Sequence, residues 1–214
     1  MAGPVDLPIP RTLADACDPS ALALVVYDCQ VGIVRQLREP APLLAGVLRL
    51  LEACREAGVR VVFMRHLSMP VELTGSFGLR QAMAWQRVER PDDVRPWFLR
   101  GSEAHALVPE LQPRPSEAVL DKITMSAFEG TPLGIVLRDC GVRAFAIVGA
   151  ATEIGIEPTV RHGADLGLVP IVVEDAIAAG DAEAGERALA NLRFLGDAFL
   201  TSVDELCGLL AAPG

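Results

Sequence analysis

The sequence predicts a doubly wound α/β fold, a mainly parallel sheet covered by helices on both faces. Three observations carry that prediction. Short, uninterrupted apolar runs of strand length recur along the chain, as strands buried on both sides require. Longer stretches with apolar residues at helical spacing alternate with them. The connections between the two kinds are short, which favours right-handed crossovers between parallel strands.

Residues 21–27 (ALALVVY) form the first strand and run into Asp28. Residues 43–57 (LLAGVLRLLEACREA) read as a helix ended by Gly58, since glycine takes the left-handed C-terminal position freely. A second strand covers 59–64 and is followed by Arg65 and His66. Residues 67–115 then break the rhythm, with scattered prolines, both tryptophans and little periodicity. So long a stretch reads as an insertion or lid over one sheet edge. Residues 118–121 are a short strand leading into Lys122, and 131–140 a helix closed by Gly141. Residues 142–148 form a strand ending in Gly149-Ala150-Ala151, and 158–166 a helix with proline in its first turn. A strand over 168–173 ends at Glu174 and Asp175. A helix over 183–195, a short strand near 198–200 and a helix over 203–210 complete the chain. Residues 1–20 read as an N-terminal arm and 21–214 as a single domain.

At 214 residues and 51% apolar content, one domain can bury a full core without a disulfide or metal staple. The net charge of −9 argues against a protein that tracks nucleic-acid phosphates, which needs a basic face. It leaves a small anionic substrate open, because a few local cations decide that. No signal-peptide core and no run near the roughly 20 apolar residues of a membrane span is present. The five cysteines are scattered without a CxxC pair and read as reduced thiols of a cytoplasmic protein. No GxGxxG or phosphate-loop motif supports a nucleotide cofactor.

Ligands of open parallel sheets bind beyond the carboxyl ends of the strands. The residues there are Asp28, Arg65 and His66, Lys122, the turn 150–155, and Asp175. An acid, an imidazole, an amine and a glycine-containing turn thus converge on one crevice, which suits acid–base chemistry on a small polar substrate. Asp175 has a simpler reading, as a cap on the loop before the last helix. Glu153 and Glu157 complement the positive end of a helix dipole.

In motif order the chain resembles the isochorismatase-like hydrolases. The resemblance rests on ALALVVYDCQ at 21–30, LDKITMSAFEGTPL at 120–133, VGAATEIGIEPTVRHGADLG at 148–167 and VVEDA at 172–176. It implies a three-layer sandwich around a parallel sheet of about six strands, assembled as homodimers or homotetramers. Most such enzymes are cysteine hydrolases of amides and related C–N bonds, with an aspartate, a lysine and a cysteine. The aspartate matches Asp28 and the lysine Lys122, but the cysteine of G-x-x-T-x-x-C falls on Gly155. Cys29 does not replace it: adjacent strand residues point to opposite faces, which turns Cys29 into a helix layer.

A missing thiol ends covalent catalysis by that route. The resemblance therefore implies a hydrolase that works without a cysteine on a small carboxylated substrate. Vinyl-ether hydrolysis, as in the isochorismatases proper, is one such reaction. Asp28 then donates a proton, Lys122 acts electrostatically, and Gly155 leaves room beside backbone N–H groups that suit a carboxylate. A variant uses Asp28 as general base on water for an amide. The alternative is an amidase that has lost its nucleophile at position 155 and remains as a silent small-molecule-binding protein. His66, Trp85, Arg87, Phe128, Ala151, Thr152 and Ile156 are the candidates to bind substrate. A lysine within about 4–6 Å is expected to lower the Asp28 pKa by roughly one to three units. The metal cluster of related nicotinamidases has no counterpart in His66, His105 and His162, so no metal is expected.

Overall fold

The computed structural model describes residues 9–212; residues 1–8 of the expected N-terminal arm lie outside the described residues. Six strands form one sheet: β1 (Leu22–Tyr27), β2 (Arg60–His66), β3 (Ala118–Lys122), β4 (Ala144–Ala150), β5 (Val169–Ala178) and β6 (Phe199–Thr201). Their order is β3-β2-β1-β4-β5-β6, and every neighbouring pair is parallel. The helices are α1 (Leu13–Ala16), α2 (Val31–Val34), α3 (Pro40–Glu56), α4 (Ser76–Gln86), α5 (Leu133–Asp139), α6 (Glu157–Asp165), α7 (Ala182–Leu195) and α8 (Val203–Ala211). No described helix is long and apolar enough to cross a membrane.

Strand β1 explains why both faces need helices. All six of its residues are buried, and they alternate between two cores. Leu22, Leu24 and Val26 pack with Val47, Leu50 and Leu51 of α3 and with Leu206 of α8. Ala23, Val25 and Tyr27 pack with Leu133 of α5, Val160 of α6 and Leu192 of α7. Fully burying one such side chain stabilises by about 1.5–3 kcal/mol. Truncating the wholly buried Leu50 to alanine costs about 2–5 kcal/mol.

The chain winds outward from β1 through β2 to β3, then returns to lay β4 on the other side of β1. That reversal opens a crevice at the carboxyl ends of β1 and β4. Asp28 and the turn after Ala150 therefore share one cleft.

Several elements differ from expectation. Arg65, His66 and Lys122 are the last residues of their strands, and His66 is the register partner of Lys122. Strand β5 continues to Ala178, with an irregularity between the pairs Ile147↔Val172 and Gly149↔Ile177. Extra residues are absorbed there as a bulge, so Glu174 and Asp175 lie inside the strand. Asp175 accepts the Val203 N–H at 2.8 Å, which caps α8 instead of the helix at 182–195. The stretch 67–115 contains α4, which has no fully buried residue and hence no clear apolar stripe in the sequence. Helix α2, a single turn, is too short to leave a periodic signal.

Candidate active site

Asp28 leaves strand geometry immediately after β1. Its φ of 49° is left-handed, a conformation that non-glycine residues other than Asn and Asp rarely adopt. The turn is held by its N–H bonding to the Met64 carbonyl at 3.0 Å. The carboxylate is thereby aimed across the crevice, where Lys122 Nζ donates to Oδ2 at 2.8 Å. Both side chains are enclosed, Asp28 being 5% and Lys122 2% exposed. The second carboxylate oxygen, Oδ1, is buried without a partner among the described residues. Cys29 turns into the opposite core beside Val34 and Val108.

Burial and ion pairing oppose each other in this pair. Burial raises the Asp28 carboxyl to about 6, against the Lys122 charge and hydrogen bond and the nearby His66 backbone N–H, which lower it. The expected lowering by lysine is therefore overcome by desolvation. Burial likewise lowers the Lys122 ammonium, with Asp28 opposing. His66 is brought down to about 3 by burial, then by Lys122 and His105, so it is neutral at physiological pH. Burial and the Asp28 charge push the Cys29 thiol up to about 12, far from a reactive thiolate.

One organiser lies outside the residues that the sequence pattern singles out. Gln30, wholly buried, accepts the His66 N–H at 2.6 Å and donates to the His66 and His105 carbonyls at 3.0 Å each. It ties the end of β1 to the end of β2. Its two-residue spacing from Asp28 is the available signal.

Beyond β4, the peptide between Ala150 and Ala151 is cis, and Thr152–Ile156 form a single π turn that feeds α6. The N–H groups of Gly155 and Ile156 both bond to the Ala151 carbonyl, at 3.0 and 3.2 Å. These two N–H groups are thereby committed within the turn. Gly149 has φ 120° and lies against the backbone of Tyr27, a place where no Cβ fits. Gly155 does not leave open space. A Cβ there would clash with the Tyr27 hydroxyl and lie 2.5 Å from Tyr27 Cε1. The volume beside Gly155 is filled by phenol.

A cavity of about 450 Å³ opens above the carboxylate. Asp28, His66, Trp85, Arg87 and Ala151 line it. Three other candidates lie elsewhere. Phe128 packs edge-on against Phe145 at 5.6 Å in the α5–α6 core. Ile156 is wholly buried in the same core, and Thr152 is buried outside the cavity wall. The π turn rotates the last two away from the cleft, while Phe128 is drawn into the core from the loop after β3. In their stead Ile154 from the turn, Met125 after β3, and Ile33 and Leu37 near α2 complete the wall. His162 packs on Phe128, and its Nδ1 is 2.9 Å from Ser126 Oγ. Among the described residues no group of three or more His, Cys, Asp or Glu is gathered as a metal would need.

A buried acid–amine pair at the switch point of a doubly wound sheet is placed for acid–base chemistry on a ligand in the cleft. The sequence profile described as the Isochorismatase domain matches residues 22–205, and the chain belongs to that family of hydrolases. It is 33% identical to the ureidoacrylate amidohydrolase RutB of Serratia proteamaculans, over 98% of this chain and 91% of that protein. A cysteine hydrolase from Pseudomonas syringae pv. phaseolicola 1448A superposes with a TM-score of 0.76 over 98% of both chains; at 23% identity it speaks for the fold alone. An isochorismatase family protein from Burkholderia thailandensis gives 0.73 at 26% identity, over 90% of this chain and 97% of that one.

Proposed function

We propose that this hydrolase cleaves a C–N bond of a small carboxylated amide or ureido compound by direct attack of water, with Asp28 as general base. The observation that carries the reading is the unpartnered Asp28 Oδ1, on a carboxyl held near 6 at the wall of the cavity. A base of that strength is well matched to neutral pH. Water hydrogen-bonded to Oδ1 gives its proton to the carboxylate as its oxygen bonds to the substrate carbonyl carbon. The tetrahedral oxyanion collapses, the C–N bond breaks, and the Asp28 proton passes to the leaving nitrogen. The Lys122 ammonium, 2.8 Å from Oδ2, offsets the negative charge that develops.

Arg87, at the mouth, is in no ion pair among the described residues and is the counter-charge for a substrate carboxylate. With Trp85 it comes from the stretch 67–115, which we read as a lid. The bond class rests on the relatives named for ureidoacrylate amidohydrolysis. The absence of a thiol at Gly155 favours a route without an acyl-enzyme. Five free cysteines suit a reducing cytoplasm, and a homodimer or homotetramer belongs to the same reading.

Two other readings share the site. Protonated Asp28 is also a competent acid for vinyl-ether hydrolysis, and a pocket without a nucleophile is also that of a silent binding protein. A panel of ureidoacrylate, N-carbamoyl amino acids, small amides and isochorismate separates them. Ammonia, lost in Asp28→Asn, supports the proposal; pyruvate from isochorismate alone replaces it with the vinyl-ether reaction. Calorimetric binding with neither product replaces it with the silent protein.

A further inference from the structure

Tyr27 is the last residue of a strand that is otherwise Leu, Ala and Val, and it is the only tyrosine in the chain. An aliphatic residue would satisfy the α5–α6 core at that point. The phenol instead reaches under the π turn. Its hydroxyl donates to the Met125 carbonyl and fills the space that any side chain at position 155 would need. The ring is 1% exposed and carries the Lys122 ammonium 4.2 Å above its centroid. Thr159 completes the surroundings, donating to the Gly155 carbonyl at 2.7 Å and accepting from the Ala127 N–H at 2.9 Å.

We propose that Tyr27 and Gly155 are a reciprocal pair, in which the phenol occupies the volume of the absent 155 side chain and positions the Lys122 ammonium. Either residue makes sense only with the other. Without Tyr27, a glycine at 155 leaves a hole beneath the carboxylate. With Tyr27, even a methyl at 155 collides with the buried phenol. A single Gly155→Cys change therefore does not install a nucleophile; Tyr27 must shrink as well. Tyr27 is a positioning residue that acts through Lys122, and the cation over its face is attracted by the ring quadrupole. The inference concerns packing and charge, and holds whether or not the pocket turns over a C–N bond.

The test needs no substrate. Thermal midpoints of Gly155→Ala, Tyr27→Val and the double variant form a cycle. Overpacking by Gly155→Ala is expected to lower Tm by about 3–10 °C, and the double variant is expected to recover most of that loss relative to the sum of the singles. If Gly155→Ala does not accumulate folded, recovery of soluble protein in the double variant reads the same coupling. Losses that simply add, or a double variant no better than the single, overturn the pairing.

Positioning has its own readout. With tyrosine labelled at Cζ, the protein gives one ¹³C resonance, which reports on Tyr27 alone. It is expected to shift as the adjacent Asp28–Lys122 pair titrates near pH 6, and in Lys122→Met, where the Asp28 pKa is raised further, the shift is expected to move to higher pH. A resonance indifferent to that pH range in the wild type overturns the positioning role. In Tyr27→Val/Gly155→Cys, iodoacetamide is expected to alkylate the introduced thiol at least tenfold faster than in Gly155→Cys, by peptide mass mapping. Equal rates overturn the claim that the phenol bars the position.

Discussion

Gln30 holds the backbone of His66 at both ends, Oε1 accepting its N–H at 2.6 Å and Nε2 donating to its carbonyl at 3.0 Å. The side chain has no exposure at all, so these bonds have no aqueous substitute. Gln30→Ala leaves an N–H and two carbonyls without it, and each buried unsatisfied group costs about 1–3 kcal/mol. The expected result is a loss of about 2–4 kcal/mol in urea denaturation, with weaker ligand binding as His66 shifts. A change below half a kcal/mol, on the scale of about ±0.5 kcal/mol for ordinary surface sites, contradicts the tie between the two strands.

Asp28 sets the pH dependence. A base near 6 is ionised above that value, so activity is expected to rise along a limb with an apparent pKa near 6 and to stay level at neutral pH. The limb belongs to the Asp28–Lys122 pair as a unit. Asp28→Asn removes the base and is expected to lower kcat by about 10²–10⁴-fold, without the limb. Stability runs the other way. The folded carboxyl binds its proton more tightly than the unfolded one, so its contribution is present below about 4 and is lost as pH rises through about 6. Relative to Asp28→Asn, the wild type should thus lose ground between those pH values in urea titrations.

Lys122→Met is expected to cost about 3–5 kcal/mol at pH 8, because it strands a carboxylate in the core. The same variant should lose clearly less at pH 5, where Asp28, with its pKa raised further, is neutral. Equal losses at both pH values would place the ion pair outside the stability balance.

Thiol reagents test the absence of a cysteine route. Cys17, Cys29 and Cys54 are buried, with burial raising their thiols to about 11, 12 and 12, whereas Cys140 is exposed. Iodoacetamide at pH 7.5 is expected to modify Cys140 first and leave ligand binding and turnover intact. Inactivation that tracks alkylation of any other cysteine, followed by mass mapping, contradicts thiol-free chemistry.

What can be read in the sequence follows from where side-chain direction is regular. Asp28 and Lys122 are legible because apolar parallel strands end abruptly at a polar residue, and strand ends gather at one edge of the sheet. Phe128, Thr152 and Ile156 escape such a reading because they lie in a loop and a π turn, where direction depends on backbone angles that residue type does not reveal. Tyr27 passes as one more apolar strand residue. Its signal is chemical, a lone phenol closing an aliphatic strand beside a glycine-marked turn. Helix α4 stays hidden because none of its residues is fully buried, so no apolar stripe marks its period.

The backward twist of the chain at residue 28 narrows its alphabet. Of the common amino acids, glycine, asparagine and aspartate tolerate φ near 50° at least cost, and a longer acid such as glutamate fares worse. A short side chain at this spot is thus favoured by stereochemistry as well as by chemistry, although Arg87 and Gln112 hold similar angles elsewhere in the chain. A redesign that keeps the turn inherits the short carboxylate, and one that wants a different reach must rebuild the corner.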